Sequence, residues 1–300
     1  MQIFYELNKG ENFAIALGFF DGVHIGHKAV IESAVNYARE NNLKSAVITF
    51  REHPCCYLWN VSPKYILLRK VREEKIKELG VDYLYELDFS KLCKMSADEY
   101  LQNVLVEYFR PKSISSGQNH NFGCDKSGNS EFLKENSHKY GYKYFETADV
   151  KYDGDTVSST RIRKCLTEGN IKSANAMLGY RFSISGEVIR GRQIGRTIGY
   201  KTANIKYPNE LITLPYGVYS TEAKVGNEIY KAIANFGVRP TVNGTDEILE
   251  VHILGFDEDI YGENIEVFFY KMIRKEQKFS SLDELKKQIK KDIKFAERGT

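Results

Sequence analysis

No apolar run in these 300 residues approaches the length of a membrane span. The opening residues, MQIFYELNKGEN, lack the charged-then-apolar pattern of a signal peptide. The expectation is a cytoplasmic chain with no membrane partner. A disulfide or zinc scaffold is also unsupported. The five cysteines (Cys55, Cys56, Cys93, Cys124 and Cys165) form no CxxC pair, and adjacent Cys55 and Cys56 lack zinc-ligand spacing. They read as reduced, mostly structural thiols. Charge of one sign is scarce too. Lys and Arg number 43 against 40 Asp and Glu, for a net +3, and the two signs interleave. A dedicated nucleic-acid binder concentrates positive charge on one face, so no nucleic-acid partner is expected. Local basic pockets for phosphate remain possible. Internal repeats and low-complexity linkers are absent as well. The length suits two domains, each able to bury its own core. The oligomeric state cannot be read from these features.

What is there alternates. Phe13 to Phe20 (FAIALGFF) is an almost wholly apolar run, suited to a strand buried on both faces of a parallel sheet. Helical spacing follows from His27 to Arg39 through Val30, Ile31, Ala34, Val35 and Ala38. Lys44 to Phe50 reads as the next strand, Glu73 to Leu79 as a helix, and Asp82 to Leu87 as a strand. Ser96 with Glu99 three residues on forms a capping box. Ser113 to Ser116, a helix around Glu131 and a strand at Tyr142 to Glu146 complete the series. Strands alternating with helices predict an open parallel sheet. After about Leu178 the pattern becomes β-branched and aromatic runs separated by Gly, Asn, Asp and Pro. Five or six antiparallel strands in a small barrel or sandwich are expected there. An amphipathic helix follows at Ser281 to Phe295, its stripe formed by Leu282, Leu285, Ile289 and Ile293. The junction is placed near Gly179 to Arg181.

The sharpest chemical feature is Gly18-Phe19-Phe20-Asp21-Gly22-Val23-His24-Ile25-Gly26-His27, between the first buried strand and the first helix. Doubly wound folds bind ligands at the carboxyl ends of their strands. A helix N-terminus there offers free N–H groups to phosphate. His24 and His27, three apart, can face one ligand, and Gly22 and Gly26 permit close approach. An arbitrary HxxH often only decorates a turn; flanking glycines and this placement single it out. Ser158-Ser159-Thr160-Arg161-Ile162-Arg163 opens a later helix, where hydroxyls can cap or bind phosphate and an arginine can neutralise it.

The second half carries GEVIRGRQIGRTIGYKTANI at Gly186 to Ile205. Closely spaced glycines with arginines can wrap phosphate, although Gly-rich hairpin turns look similar. Thr202 and Asn204 alternate on an extended segment and point the same way; their oxygens suit Mg²⁺. Glu250, within EILEVHI, is either the exposed face of a strand or a placed carboxylate.

In order, GFFDGVHIGH, TFREHP (49–54), GQNHNFG (117–123) and VSSTRIR (157–163) resemble the N-terminal domain of prokaryotic bifunctional riboflavin kinase/FMN adenylyltransferases, also called FAD synthetases. GYKTANI, GVY (217–219), ANFGVRPT (234–241) and LEVHIL (249–254) resemble their C-terminal domain. The resemblance covers essentially the whole chain. It implies an α/β fold: an N-terminal doubly wound parallel-sheet nucleotidyltransferase domain over 1–180, then a small antiparallel β-barrel with a C-terminal helix over 181–300. The implied reactions are ATP-dependent phosphorylation of riboflavin to FMN and adenylylation of FMN to FAD, with ATP and Mg²⁺. By the same match, His24 and His27 would contact ATP phosphates, with Gly18, Phe19, Asp21 and Gly26 lining that site. Ser159, Thr160 and Arg161 would complete it, Arg161 beside the leaving pyrophosphate. Asn119 and Phe122 would lie by the flavin. In the second domain, Gly191, Gly195, Thr202 and Asn204 would bind ATP, Thr202 and Asn204 would hold Mg²⁺, Arg239 would meet the flavin, and Glu250 would be the general base.

This sequence departs from the family pattern at several places. His120 stands where an aromatic residue is usual, Asn121 where Arg or Thr is, and Asp125 where Gly is. Lys201 replaces the Pro of a PTAN motif, and Gly255 replaces an Asp. Lys201 raises one alternative, an adenylyltransferase whose second domain binds flavin without phosphorylating it. A second alternative is a relative of the class I tRNA synthetases, which share the HIGH spelling. The small net charge and the absence of a KMSKS-like segment oppose it. Intact His24, His27 and Glu250 oppose a non-catalytic flavin sensor.

Overall fold

A computed structural model describes residues 1–7, 11–191, 199–241 and 244–298, the side chains of residues 240, 241, 244 and 245 excepted. Its contacts divide the chain into two compact units, Met1–Ser159 and Thr160–Thr300. That division falls earlier in the chain than the change in sequence pattern near Gly179.

The first unit is built on six parallel strands: β1 Gln2–Phe4, β2 Phe13–Leu17, β3 Lys44–Phe50, β4 Tyr83–Leu87, β5 Ser113–Gly117 and β6 Lys143–Thr147. They lie in the order β1-β4-β3-β2-β5-β6. All five residues of β2 are buried because β3 and β5 flank it. That position explains the unbroken apolar run FAIAL. Edge strand β1 is too short to show a period. It is held by pairing with β4 and by stacking of Phe4 on Tyr85 at 5.0 Å. Helix α1, Ile25–Glu40, buries Val30, Ile31, Ala34, Val35 and Ala38, the stripe expected from spacing, and packs on β2, β3 and β5. The Ser96 capping box is formed, with Ser96 N–H donating to Glu99 Oε2 at 2.8 Å and Glu99 N–H to Ser96 Oγ at 3.2 Å. Helix α2 spans Arg69–Glu78 and α3 spans Ser130–Tyr140. Strand order reverses at β2, with β3 and β4 on one side and β5 and β6 on the other. The crevice beyond the carboxyl ends of β2 and β5 is therefore the topological switch point.

Helix α4, Ser159–Thr167, starts at the last residue of the first unit, and α5 spans Ile171–Leu178. In the second unit six antiparallel strands close a barrel: β7 Ser183–Ile189, β8 Ala203–Lys206, β9 Gly217–Val225, β10 Glu228–Thr241, β11 Gly244–Ile253 and β12 Asn264–Lys275. The order is β7-β8-β11-β10-β9-β12. Closure removes the edge-strand hazard of an open sheet. Helix α6, Leu282–Arg298, packs Ile289, Ile293 and Ala296 against Val218 and Ile233. Leu282, expected on the packed stripe, is instead 59% exposed. Asp292 is buried, because Arg274 donates to both its carboxylate oxygens at 2.9–3.2 Å and Gln288 adds a bond of 2.8 Å. A helical stripe records hydrophobicity and cannot show an acid made buriable by a distant arginine.

Candidate functional sites

The turn after β2 is wound tightly. Phe20, Gly22 and Val23 have φ of +59°, +85° and +34°, and for two bulky residues this left-handed geometry is strained. A Cβ on Gly18 would lie 2.7 Å from the Phe20 ring, so glycine there lets that ring fold back. Phe20 is buried and meets the His27 ring edge-on at 5.3 Å. His24 caps α1: its Nδ1 accepts the His27 N–H at 3.2 Å. Its ring stacks on His27 with centroids 3.6 Å apart. Burial drives the His24 pKa down to about 4, so the ring is neutral near pH 7. With Nδ1 accepting, the proton of that neutral ring sits on Nε2 and can be donated. His24 thus offers hydrogen-bond donation to phosphate without burying a permanent charge.

These side chains line a cavity of about 250 Å³ at the switch point, with Gly18, Phe20, His24, Gly26 and His27 on one wall. Gly117 to His120, Thr147 to Val150, Ser158 and Ser159 complete it. Asn119 therefore joins the histidines, as does Ser159, whose hydroxyl also donates to the Asp21 carbonyl at 2.9 Å. Thr160 and Arg161 fall in the second compact unit.

Three expected site residues are placed elsewhere. Asp21 is buried, and its carboxylate accepts the N–H groups of Ile66 and Leu67 at 3.1–3.3 Å; it ties the turn to the 66–67 segment rather than lining the cavity. Phe19 points away from Phe20 and packs edge-on against His53 at 4.7 Å, with the Arg72 guanidinium 4.8 Å over its ring. Phe122 packs among Tyr100, His120 and Phe132. Sequence reasoning also missed the support behind the turn. Arg72 is buried and donates to the carbonyls of Phe19 (3.3 Å) and Phe50 (3.0 Å) and to fully buried Glu86 (2.7 Å). Arg69 holds the other Glu86 oxygen at 2.7 Å. The only available signal was an acid inside the strand run DYLYEL. His120 was noted only as a departure. Its buried Nε2 has no hydrogen-bond partner among the described residues, and burial lowers its pKa to about 4.

The second site lies on strands. Asn204 of β8 pairs with Glu250 of β11, and Glu250 pairs with Asn235 of β10. A cavity of about 420 Å³ is lined by Glu250, Arg239, Asn235 and His252, and by apolar groups that include Val218, Ile233, Phe279 and Ile289. A second cavity, of about 200 Å³, is lined by Lys201, Asp257 and Tyr261. Thr202 and Asn204 line both. Burial pushes the Glu250 carboxyl above its ordinary pKa, partly offset by the Arg239 charge. Asn204 is buried, and its Oδ1 has no hydrogen-bond partner among the described residues. Its Nδ2 donates to the Thr202 carbonyl at 3.3 Å. Gly191 is required beside it, because a Cβ there would sit 2.5 Å from Asn204 Nδ2. Gly195 lies outside the described residues. Among the described residues no group of three or more His, Cys, Asp or Glu could hold a metal by itself. Mg²⁺ commonly takes one or two protein oxygens and completes its shell with substrate phosphates and water. The orphaned Asn204 oxygen, with Thr202 lining the same two cavities, fits that description.

A histidine-lined cavity at the switch point of one unit and a pair of cavities sharing Thr202 and Asn204 in the other fit the class of two-domain nucleotide-dependent transferases. Comparison with known proteins narrows the class. The FAD synthetase family model matches residues 7–161, and the riboflavin kinase model matches residues 178–299. A bifunctional riboflavin kinase/FMN adenylyltransferase of Buchnera aphidicola is 36% identical over 96% of this chain and 94% of its own length. One from Escherichia coli K12 is 34% identical over 94% of this chain and 91% of its own. The crystal structure of a Streptococcus pneumoniae protein named as a macrolide-efflux protein matches all of both chains with a TM-score of 0.92 at 32% identity. The chain belongs to the bifunctional riboflavin kinase/FMN adenylyltransferase family.

Proposed function

We propose that the second unit phosphorylates riboflavin to FMN and the first adenylylates FMN to FAD, both at the expense of ATP. The functional domains would span 1–180 and 181–300. The observation that carries the kinase reading is the placement of Thr202 and Asn204 between two cavities, with Glu250 facing only the larger. Phosphoryl transfer needs a donor nucleotide on one side, an acceptor hydroxyl on the other and a base on the acceptor side. The larger, more apolar cavity suits the flat flavin ring, and the smaller suits the nucleotide. Glu250, with its raised pKa, would take the proton of the ribityl 5′-hydroxyl as that oxygen attacks the γ-phosphorus and the bond to the β,γ-bridging oxygen breaks, releasing ADP. Thr202 and Asn204 would hold Mg²⁺, which neutralises phosphate charge when bound.

In the first unit the neutral His24, with His27 stacked on it, would donate to ATP phosphates as charge shifts towards the leaving pyrophosphate. Asn119 would orient FMN. The composition and the set of sites favour small-molecule substrates. No helix among the described residues is long and apolar enough to cross a membrane; a cytoplasmic location is the reading in keeping with soluble substrates. The test is to incubate the protein with riboflavin, ATP and Mg²⁺ and separate the flavins by chromatography. Sequential appearance of FMN and then FAD is expected. FAD from supplied FMN without FMN from riboflavin would establish the adenylyltransferase-only alternative.

A further inference from the structure

We propose that His252 is a positioning residue that clamps the phosphate-handling segment of the second unit through the Lys201 carbonyl. The inference rests on the kinase reading above. The β8–β11 ladder ends at the pair Ala203↔Val251, so Lys201 and Thr202 lie beyond its backbone hydrogen bonds. His252 is the next residue of β11, and its Nδ1 stands 2.7 Å from the Lys201 carbonyl oxygen. A carbonyl only accepts, so Nδ1 carries the hydrogen and donates it. The ring is held in turn by Tyr200, which meets it edge-on at 5.3 Å and 89°. His252 also lies two residues from Glu250, on the same face of the strand. One side chain therefore continues the ladder where the backbone stops and ties the segment before Thr202 to the strand that carries the base.

Lys201 adds a weaker tether. Its ammonium pairs with the Asp257 carboxylate and donates to the Asp257 carbonyl at 3.3 Å. Both side chains are largely exposed, and such pairs contribute little. The Lys201 N–H makes no hydrogen bond among the described residues, so a proline there would break none of theirs. A proline would instead restrict φ just before Thr202. The imidazole clamp and a proline ring are thus two routes to one end, a Thr202–Asn204 segment ordered before the nucleotide arrives. Order set in advance lowers the cost of binding. Losing the clamp should therefore weaken MgATP binding and leave the chemical step nearly intact.

The experiment is steady-state FMN formation by the full chain with varied MgATP. His252→Leu should raise the KM for MgATP about fivefold, with kcat within about twofold, the scale of one lost hydrogen bond. His252→Asn places an amide nitrogen where Nδ1 was and should recover most of the loss. Lys201→Pro in the His252→Leu background should also recover it, which a misfolded barrel could not do. FAD formation from supplied FMN should be equal in all preparations. The proposal is overturned if Leu and Asn variants behave alike, if proline gives no recovery, or if the loss falls on kcat alone. An unmodified chain that makes no FMN would instead overturn the kinase reading itself, while FAD formation reports on the other unit.

Discussion

The two units place their chemistry on different parts of the fold. In the first, the histidines sit where a strained turn enters α1 at the switch point of a parallel sheet, and the groups that hold the turn lie behind it. Asp21, Arg72 and Glu86 hold backbone there rather than face the cavity. In the second, Asn204 and Glu250 are residues of the barrel wall, and pairing register brings them together. A turn can be rebuilt as long as its anchors survive. A wall residue is fixed by its neighbours on both sides, so even a single added methyl group is felt. The first site should therefore tolerate local change that spares its histidines, its anchors and the glycines of the turn, and the second should not.

The largest effect should separate the sites altogether. His27→Ala is expected to lower FAD formation from FMN roughly a thousandfold, the upper scale for losing a transition-state donor. FMN formation from riboflavin should persist, as flavin chromatography will read. An equal fall in both reactions with the fold intact would merge the two sites into one. Glu250→Gln should do the reverse, lowering FMN formation roughly a hundredfold or more while FAD formation continues. The base must be ionised and burial raises its pKa. FMN formation in the native chain should thus fall, as pH decreases, through a value above that of an ordinary glutamate, and Gln should erase this acid limb.

Gly191→Ala tests the intolerance of the wall. Its Cβ would push on Asn204 at 2.5 Å, so kcat/KM for FMN formation should drop roughly tenfold by misplacement alone. Near-normal kinetics would show that Asn204 can shift without penalty. The last effect, on stability rather than on rate, concerns the turn. His24 is neutral when folded, with a pKa of about 4, against about 6.5 when unfolded. Between these values the unfolded state binds more protons, so stability is full above pH 6.5 and declines towards pH 4. The total is about 3 kcal/mol at most. NMR titration should show the His24 ring unprotonated at pH 5.5. A midpoint near 6.5 would mean that the ring is solvated.

Much of the architecture was legible because it rests on periodicity and local chemistry. FAIAL is wholly apolar because β2 is central, and α1 buries the residues its spacing marked. The motif order pointed to both sites, and Asn119, His24, His27, Thr202, Asn204 and Glu250 each line a cavity. Asp21 and Phe19 do not line the cavity, because a motif gives adjacency along the chain but no direction. With φ positive at Phe20, successive side chains of the turn diverge, so Phe20 enters the cavity while Phe19 turns towards His53. Edge strand β1 was invisible because three residues carry no period, and its place depends on a partner some eighty residues away.

By itself the sequence determined the two-part organisation, the parallel sheet followed by antiparallel strands, and the residue types available for phosphate chemistry. These follow from local patterns of polarity and from glycine, proline and capping residues, whose effects act over a few positions. Tertiary structure alone decided which polar groups face a ligand and which hold the backbone. Asp21 is consumed by the amides of residues 66 and 67, Asp292 is made buriable by Arg274, and the Lys201 carbonyl is held by His252. The physical reason is common to all three. A polar group takes its role from whichever partner satisfies it, and that partner comes from a distant part of the chain.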